Sequence, residues 1–243
     1  MTEYPKISRV GLDGVVVTFG DVLADRANLA AIAFRHAVDV EGWEEVRETA
    51  SVLVSTFLSV DLVTTPYESV LGKLNALLET RDWYDVGPPA GRKLWTLPMC
   101  FDPQVAPQLT DAAKAAGLSE TEARDQLINA RTRVIALGFA PGQPYLGHLP
   151  EVWDIPRQSD LTPKVPVGAL VIAIRQFVLF ATSAPTGWRH VGQTAFRPFD
   201  QDRDTPVLLS PGDEVRFAQI NLEELKQLQA GDSLGGAEWE QLS

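Results

Sequence analysis

Apolar residues recur at two different periods along the chain, and the change of period divides it. From Ile7 to Phe19, two β-rich runs flank Asp13-Gly14, a dipeptide suited to a tight hairpin. Ala24 to Val38 is alanine-rich with Leu29, Ile32, Ala33 and Phe34 at helical spacing, which predicts a helix. Glu44 to Phe57 predicts two strands, the second at Val52-Leu53-Val54. A second helix starts at Thr65-Pro66 and carries Val70, Leu71, Leu74, Leu77 and Leu78 on one broad face. Pro66 falls near its first turn, where a missing N–H costs nothing. Strands with two helices predict a small α+β domain over residues 1–84. The run Asp85 to Gly91, rich in Pro and Gly, predicts a linker over 85–92.

Beyond the linker the pattern changes. Leu94 to Phe101 and Thr132 to Leu137 predict strands, with helices at Pro107 to Ala116 and Glu120 to Ala130. Ser119 followed by Glu122 fits a capping box at the start of the second of these helices. Helical signals then vanish until Leu222. Short apolar runs at Leu170 to Phe180, His190 to Thr194, Val207 to Leu209 and Glu214 to Ile220 predict an antiparallel barrel or compact sandwich over 93–225. Leu222 to Leu228 predicts a short terminal helix. Residues 226–243 predict a flexible tail, unless Trp239 anchors it.

Composition narrows the function classes. Across 243 residues no apolar run approaches the ~20 that a membrane helix needs, so no membrane partner is expected. A formal charge of −11 repels a phosphate backbone, which argues against nucleic acid as a partner. The single cysteine, Cys100, excludes an internal disulfide and a cysteine zinc site, and no metal site is expected. The opening MTEYPKISRV has no basic segment leading an apolar core, so a cytoplasmic location is expected. No phosphate-binding glycine loop, dinucleotide fingerprint or nucleophile elbow is present.

The most constrained stretch is LGFAPGQPYLGHLP, Leu137 to Pro150, with three glycines, three prolines and one of the three histidines. It reads either as a ligand-binding loop or as a crossover needing positive φ at Gly142 and fixed φ at Pro141 and Pro144. Gly142, Gln143, Pro144, Tyr145 and His148 are its candidate substrate or interface residues. His148 is an acid/base candidate by titration range, but also reads as a surface or interface histidine. His190 reads as a hydrogen-bonded strand histidine, and Cys100 as a core thiol. Arg157, Lys164 and Arg175 are candidates to receive an anionic group, or are solvated.

The string Leu137 to Gly147 resembles LGFxPGFPYLGG, a signature of the family that unites KipI, allophanate hydrolase subunit 1 and the 5-oxoprolinase B subunit. The resemblance continues through Pro156-Arg157, Val165-Pro166-Val167-Gly168, Gly187 to Thr194, Arg197 to Asp200 and Leu209 to Phe217. The N-terminal half matches more loosely, at Val15 to Gly20 and Ser51 to Val54. The resemblance implies an α+β N-terminal domain followed by a mainly-β, cyclophilin-like barrel domain. It also implies a homologous partner of the KipA or allophanate hydrolase subunit 2 type. A third subunit of the LamB/YcsF type would serve lactam hydrolysis, or a biotin carboxylase would serve carboxyl transfer. The chain alone is expected to bind no cofactor, with ATP or carboxybiotin entering at the level of the complex.

Departures from the family pattern qualify this. Cys100-Phe101-Asp102-Pro103-Gln104 stands where the family commonly has a CYGGE-like run, and Thr49 at a tyrosine position. Gln143 and His148 replace family residues of the loop. Ile174 to Ala181 stands where the family reads GxQTGIYP, with Gln176 retained and the Thr-Gly pair and Tyr lost. Most of these changes remove a hydroxyl or carboxyl or fill a glycine position. Two functions follow as expectations. One is a subunit of an amide- or lactam-processing complex, inactive alone, with a substrate other than 5-oxoproline. The other is a non-catalytic regulatory or scaffold subunit of the kinase-inhibitor type. Phe177, Leu179 and Phe180 are expected to be buried in a strand of the barrel core or under the Pro-Gly loop, with Gln176 its only neutral hydrogen-bonding side chain.

Overall fold

The computed structural model describes residues 4–242, so the reading of the chain start as leaderless rests partly on residues outside those described. Internal contacts gather the chain into two compact units, the first ending at Ala90 and the second beginning at Gly91.

In the first unit, strands β1 (Lys6–Val10), β2 (Gly14–Thr18), β3 (Val46–Val52) and β4 (Ser55–Val60) form an antiparallel sheet in the order β1-β2-β4-β3. Val15, Val17, Leu58 and Val60 alternate onto one face and are buried. Helices α1 (Asp25–Glu41) and α2 (Tyr67–Leu78) cover that face, placing Phe34, Val70 and Leu74 in the same core as Phe19 and Trp83. Two turn assignments change. Val10 pairs with Gly14, so the first hairpin turns through Gly11 to Asp13, and Gly14 is already strand. A side chain at Gly14 would meet the Phe57 ring at 2.5 Å, so the glycine serves close packing. Leu53, read as mid-strand, instead sits at φ 53° in the turn between β3 and β4. Pairing of Val52 with Ser55 dictates that turn, and an apolar triplet gives no sign of it in the sequence.

The second unit is a closed seven-stranded barrel. Its strands are β5 (Lys93–Cys100), β6 (Thr132–Leu137), β7 (Pro144–Gly147), β9 (Ala169–Ala173), β10 (Gln176–Leu179), β12 (Arg189–Gln193) and β13 (Glu214–Ile220). They run in the order β6-β13-β5-β12-β9-β10-β7, and β7 closes onto β6. Only the β5–β13 pair is parallel. The interior holds Trp95, Leu97, Met99, Leu146, Leu170, Ile172, Phe177, Val191 and Phe217. Helices α3 (Leu109–Ala115) and α4 (Glu120–Ile128) add Leu109, Ala112 and Leu127 to it. The Ser119–Glu122 capping box is present at α4. Strands β8 (Thr162–Val165) and β11 (Ala184–Thr186) pair separately.

β9 and β10 are buried on both faces. Leu170, Ile172, Phe177 and Leu179 point inward, while Ala169, Val171, Val178, Phe180 and Trp188 form a second cluster outside the barrel. That is why Leu170 to Phe180 reads as apolar but for Arg175 and Gln176. It is in fact a hairpin, turned by Ile174 and Arg175 with φ of 43° and 61°. Both residues carry side chains in a region that favours glycine. Their N–H groups donate to the carbonyls of Ile155 (2.8 Å) and Trp153 (3.0 Å), which fix the turn from outside.

Two further expectations are corrected. Val207 to Leu209 forms no strand, only an isolated bridge from Val207 to Phe199. The tail carries regular structure as far as Gln241. Helix α5 (Leu222–Gln229) leads to strand β14 (Glu238–Gln241), which pairs with the first half of β5, Trp239 opposite Trp95. The two indoles lie 6.4 Å apart, and the Lys93 ammonium sits 4.4 Å from the Trp239 ring. Trp239 is therefore an anchor, and β14 covers the first half of β5. Among the described residues no helix is long and apolar enough to cross a membrane, and no cluster of metal-ligating side chains occurs.

Candidate functional site

The Pro-Gly stretch is the β6–β7 hairpin. Gly138 N–H donates to the Gln143 carbonyl (3.0 Å), and Gln143 N–H to that of Ala140 (3.1 Å). Gly142 has φ 63°, and a Cβ there would lie 3.1 Å from the Pro198 carbonyl and 3.2 Å from Phe199 and Val207. Its role is structural. Pro144 is buried at the start of β7 and pairs with Leu137.

The loop nevertheless borders a cavity of about 310 Å³, within the usual small-molecule range at its lower end. Gln143, Tyr145, Arg157 and Gln158 supply its polar groups, with Thr186 and Gly187 beside them. Val178, Phe180, Pro185 and Trp188 form its apolar wall, and Phe139 and Leu161 its rim. Phe139 is 79% exposed and Leu161 65%, whereas Trp188 is 7% exposed.

Strand register explains the grouping. Tyr145 lies opposite Val178 across β7 and β10, so both face the outer cluster, while the next pair, Leu146 and Phe177, faces the barrel interior. The Tyr145 ring meets Trp188 edge-on at 6.2 Å, and the Arg157 guanidinium lies 5.4 Å from the centre of the same indole. Burial pushes the Tyr145 phenol above its ordinary range, offset in part by Arg157 and by a hydrogen bond with the Gln143 side chain. The phenol is therefore protonated at neutral pH. Gln158 is held on both ends: its Oε1 accepts from Gln108 (2.8 Å), and its Nε2 donates to the Trp188 carbonyl (3.1 Å). Arg189 ties the same wall to α3, donating to the Pro156 carbonyl and the Asp111 carboxylate, each at 2.6 Å.

With this geometry in view, comparison with known proteins is decisive. Residues 5–209 match the family profile described as carboxyltransferase domain, subdomain C and D. The chain belongs to that family. A relative named as the B subunit of 5-oxoprolinase, from Bacillus subtilis (strain 168), is 28% identical over 91% of this chain and 95% of its own length. The crystal structure of TTHA0988 superposes with a TM-score of 0.73 at 27% identity, covering 85% of this chain. This chain spans 40% of that one. Kluyveromyces lactis urea carboxylase shares the fold at TM-score 0.72 and 18% identity, over 96% of this chain and 24% of its own.

Within this carboxyltransferase-domain fold, the sequence candidates separate. Gln143, Tyr145 and Arg157 come together in the cavity. Gln176 pairs with Gly147 on the far side of Val178, and half-buried His148 follows Gly147 at that same end, so neither reaches the cavity wall. Arg175 donates to the Leu149 carbonyl (2.9 Å), and Lys164 is exposed on β8. Gln158 and Trp188 join the site although neither is a sequence candidate: a neutral amide marks no chemistry by itself, and Trp188 stands only as one residue of the Gly187 to Thr194 block. Of the departures from the family pattern, Gln143, Val178 and Phe180 line the cavity. Cys100 is buried elsewhere, its thiol pushed up by burial. Thr49 bonds with Arg35 and Asp39 in the first unit.

His190 is a structural histidine. It is 6% exposed, and its Nε2 lies 3.0 Å from the Gly192 carbonyl, which can only accept, so that nitrogen carries the hydrogen. Burial lowers its pKa, and the Gly192 bond offsets only part of that. An unfolded histidine takes up a proton near pH 6.5 (about the model-peptide value), but the folded one does so only at lower pH. The unfolded state then binds more protons in that interval, so stability falls as pH drops from about 6.5 through the folded pKa. Denaturant midpoints of the wild type should decline between pH 7.5 and 5.5 (roughly the span around that value), and His190→Gln should flatten the decline.

Proposed function

We propose that the chain is one subunit of a multi-subunit enzyme that processes an amide or lactam. It acts with a homologous partner of the KipA or allophanate hydrolase subunit 2 type. Family membership supports the subunit role, and the similarity to a protein named as the B subunit of 5-oxoprolinase supports the reaction class. The observation that carries the reading is the cavity, where the Arg157 guanidinium and the Tyr145 hydroxyl converge without a carboxylate in the lining. Such paired donors suit the carboxylate or carbonyl oxygen of a small substrate.

The cavity does not suit a nucleoside triphosphate. Its one cation is not accompanied by a helix N-terminus, and in the bordering Pro-Gly loop the Gly138 and Gln143 N–H groups already donate to the loop's own carbonyls. In this reading ATP, or carboxybiotin, is handled by the assembled complex, with a LamB/YcsF-type subunit or a biotin carboxylase as further partner. The substrate is not 5-oxoproline. Val178 stands where the family pattern has glycine, and Phe180 where it has tyrosine, and both sit in the cavity wall. One change narrows the space and the other removes a hydroxyl.

Co-expression with the homologous partner should yield a mixed complex by size-exclusion chromatography with light scattering. That complex should turn over an amide or lactam with ATP, and 5-oxoproline poorly. Two species eluting separately at micromolar concentration would remove the subunit assignment. Efficient 5-oxoproline cleavage would remove the substrate exclusion. A complex that assembles yet acts on no amide would favour the regulatory role.

A further inference from the structure

The geometry points to a substrate class for this cavity: a monocarboxylate with an apolar, preferably aromatic, body, whose carboxylate pairs with Arg157 and Tyr145 while its body rests against Trp188, Val178 and Phe180. This rests on reading the cavity as the ligand site of the proposed subunit and specifies what that site takes.

The hydrogen-bonding inventory is one-sided. Gln143 Oε1 accepts from the Ala181 N–H (3.3 Å), which leaves its amide nitrogen to face the Tyr145 oxygen. The Tyr145 oxygen is thus an acceptor toward Gln143, and its hydrogen is available to the cavity. Gln158 Oε1 already accepts from Gln108 (2.8 Å), and Thr186 Oγ1 from the Trp188 N–H (3.0 Å). The side-chain oxygens around the cavity each already accept a hydrogen bond, while a phenol hydrogen and a guanidinium remain to donate. Among the described residues Arg157 has no carboxylate partner, and its guanidinium lies against the Trp188 ring. A ligand entering here meets donors and apolar surface. A ring N–H such as that of 5-oxoproline would have to share an oxygen that already accepts, and a site selects against a polar group it pairs poorly. An apolar body loses nothing. The buried wall at Trp188, Val178 and Phe180, at 7%, 3% and 4% exposure, offers it contact already dry. The reacting amide of such a substrate would lie toward the open rim at Phe139 and Leu161, where another subunit can reach it.

Titration calorimetry on the purified full chain tests this with three probes: 3-phenylpropanoate, its neutral isostere 3-phenylpropanamide, and 5-oxoproline. The acid should bind at least about tenfold more tightly than either of the others, as expected for a charge-assisted pair. Arg157→Gln, a change at an exposed side chain, should abolish the difference between acid and amide. The double variant Val178→Gly, Phe180→Tyr should shrink the gap between acid and 5-oxoproline by at least about threefold, since one methyl-sized change shifts selectivity by this order or more. Equal affinity for acid and amide, an unchanged preference in Arg157→Gln, or no heat with the acid would each overturn the proposal. The titration needs no partner, so failure of the complex to assemble leaves it standing. A turnover-competent complex with a silent titration overturns the cavity assignment and leaves the subunit role intact.

Discussion

Replacing Gly168 by alanine is expected to destabilise the barrel by about 3–4 kcal/mol, among the largest effects of any single change in the chain. Gly168 has φ 78°, and a Cβ there would sit 2.4 Å from the Thr194 carbonyl oxygen and 2.8 Å from Gln193 Nε2. The obstructing atom is backbone, so no side-chain rotation relieves it. Gly168 is also wedged between two strands: its N–H donates to the Phe180 carbonyl (2.8 Å), and its carbonyl accepts from Thr194 N–H (3.0 Å). Relief of the clash must therefore push β9 away from β10 or β12, and with it Phe180 on the cavity wall. Gly117→Ala is the matched control. Gly117 has φ 69° but nothing within 4 Å of the added Cβ, so only the backbone cost of about 1–2 kcal/mol should appear. Urea midpoints of the two variants separate the terms. If Gly168→Ala costs no more than Gly117→Ala, the contact argument fails.

Gly168 also shows what the sequence could disclose. Its block, Val165-Pro166-Val167-Gly168, is among those that resemble the family, and the barrel strands from Leu94 to Phe101 and Glu214 to Ile220 lie where periodicity puts them. Long helices with one apolar face are equally legible, because burial of that face is what forms them. Turns made by ordinary residues are not. Ile174-Arg175 and Leu53 adopt positive φ without glycine or asparagine, held by pairing and by carbonyls from distant segments. A local pattern carries no trace of such support. Phe177 and Phe180 are both buried as expected, but Phe177, in β10, faces the barrel and Phe180, just after it, faces the cavity.

The candidate site is legible only where a chemical group announces itself. Tyr145 and Arg157 stand out as a phenol and a guanidinium, and the fold does bring them to one indole. His148, Gln176 and His190 stand out for the same reason and lie elsewhere. For Gln176 and His148 the difference is position along β7 and β10, and His190 lies on β12. Tyr145 pairs with Val178 near the loop, Gly147 with Gln176 near the turn, and the two ends serve different surroundings. Arg157 reaches the site from a segment outside any strand, pinned by the Gln158 N–H to the Gly187 carbonyl (2.7 Å). Only the folded chain supplies that contact.

Asp213→Ala is expected to cost about 3 kcal/mol, because the buried carboxylate accepts from three donors. Asp213 is 4% exposed. Its Oδ1 accepts from the Lys93 N–H (2.8 Å), and its Oδ2 from the Ser210 N–H (2.9 Å) and Trp95 Nε1 (3.3 Å). These bonds fasten the start of β5 to the turn that launches β13, the one parallel pair in the barrel. A hairpin cannot join parallel neighbours, so side-chain bonds at their shared end take the place of the tight turn used elsewhere. Next to it, the Glu214 carboxyl is pushed up by burial but held below its ordinary range overall by hydrogen bonds from Arg131 and Arg92. Asp213→Asn keeps one oxygen but turns an NH₂ toward a donor, so it should lose roughly half as much as the alanine variant. Asp204→Ala, on an exposed loop, should leave the denaturant midpoint where it was. The order of midpoints should therefore be wild type and Asp204→Ala together, then Asp213→Asn, then Asp213→Ala. A midpoint for Asp213→Ala indistinguishable from that of Asp204→Ala would show that the β5–β13 junction is held by the apolar contacts of Trp95 and Val215 alone.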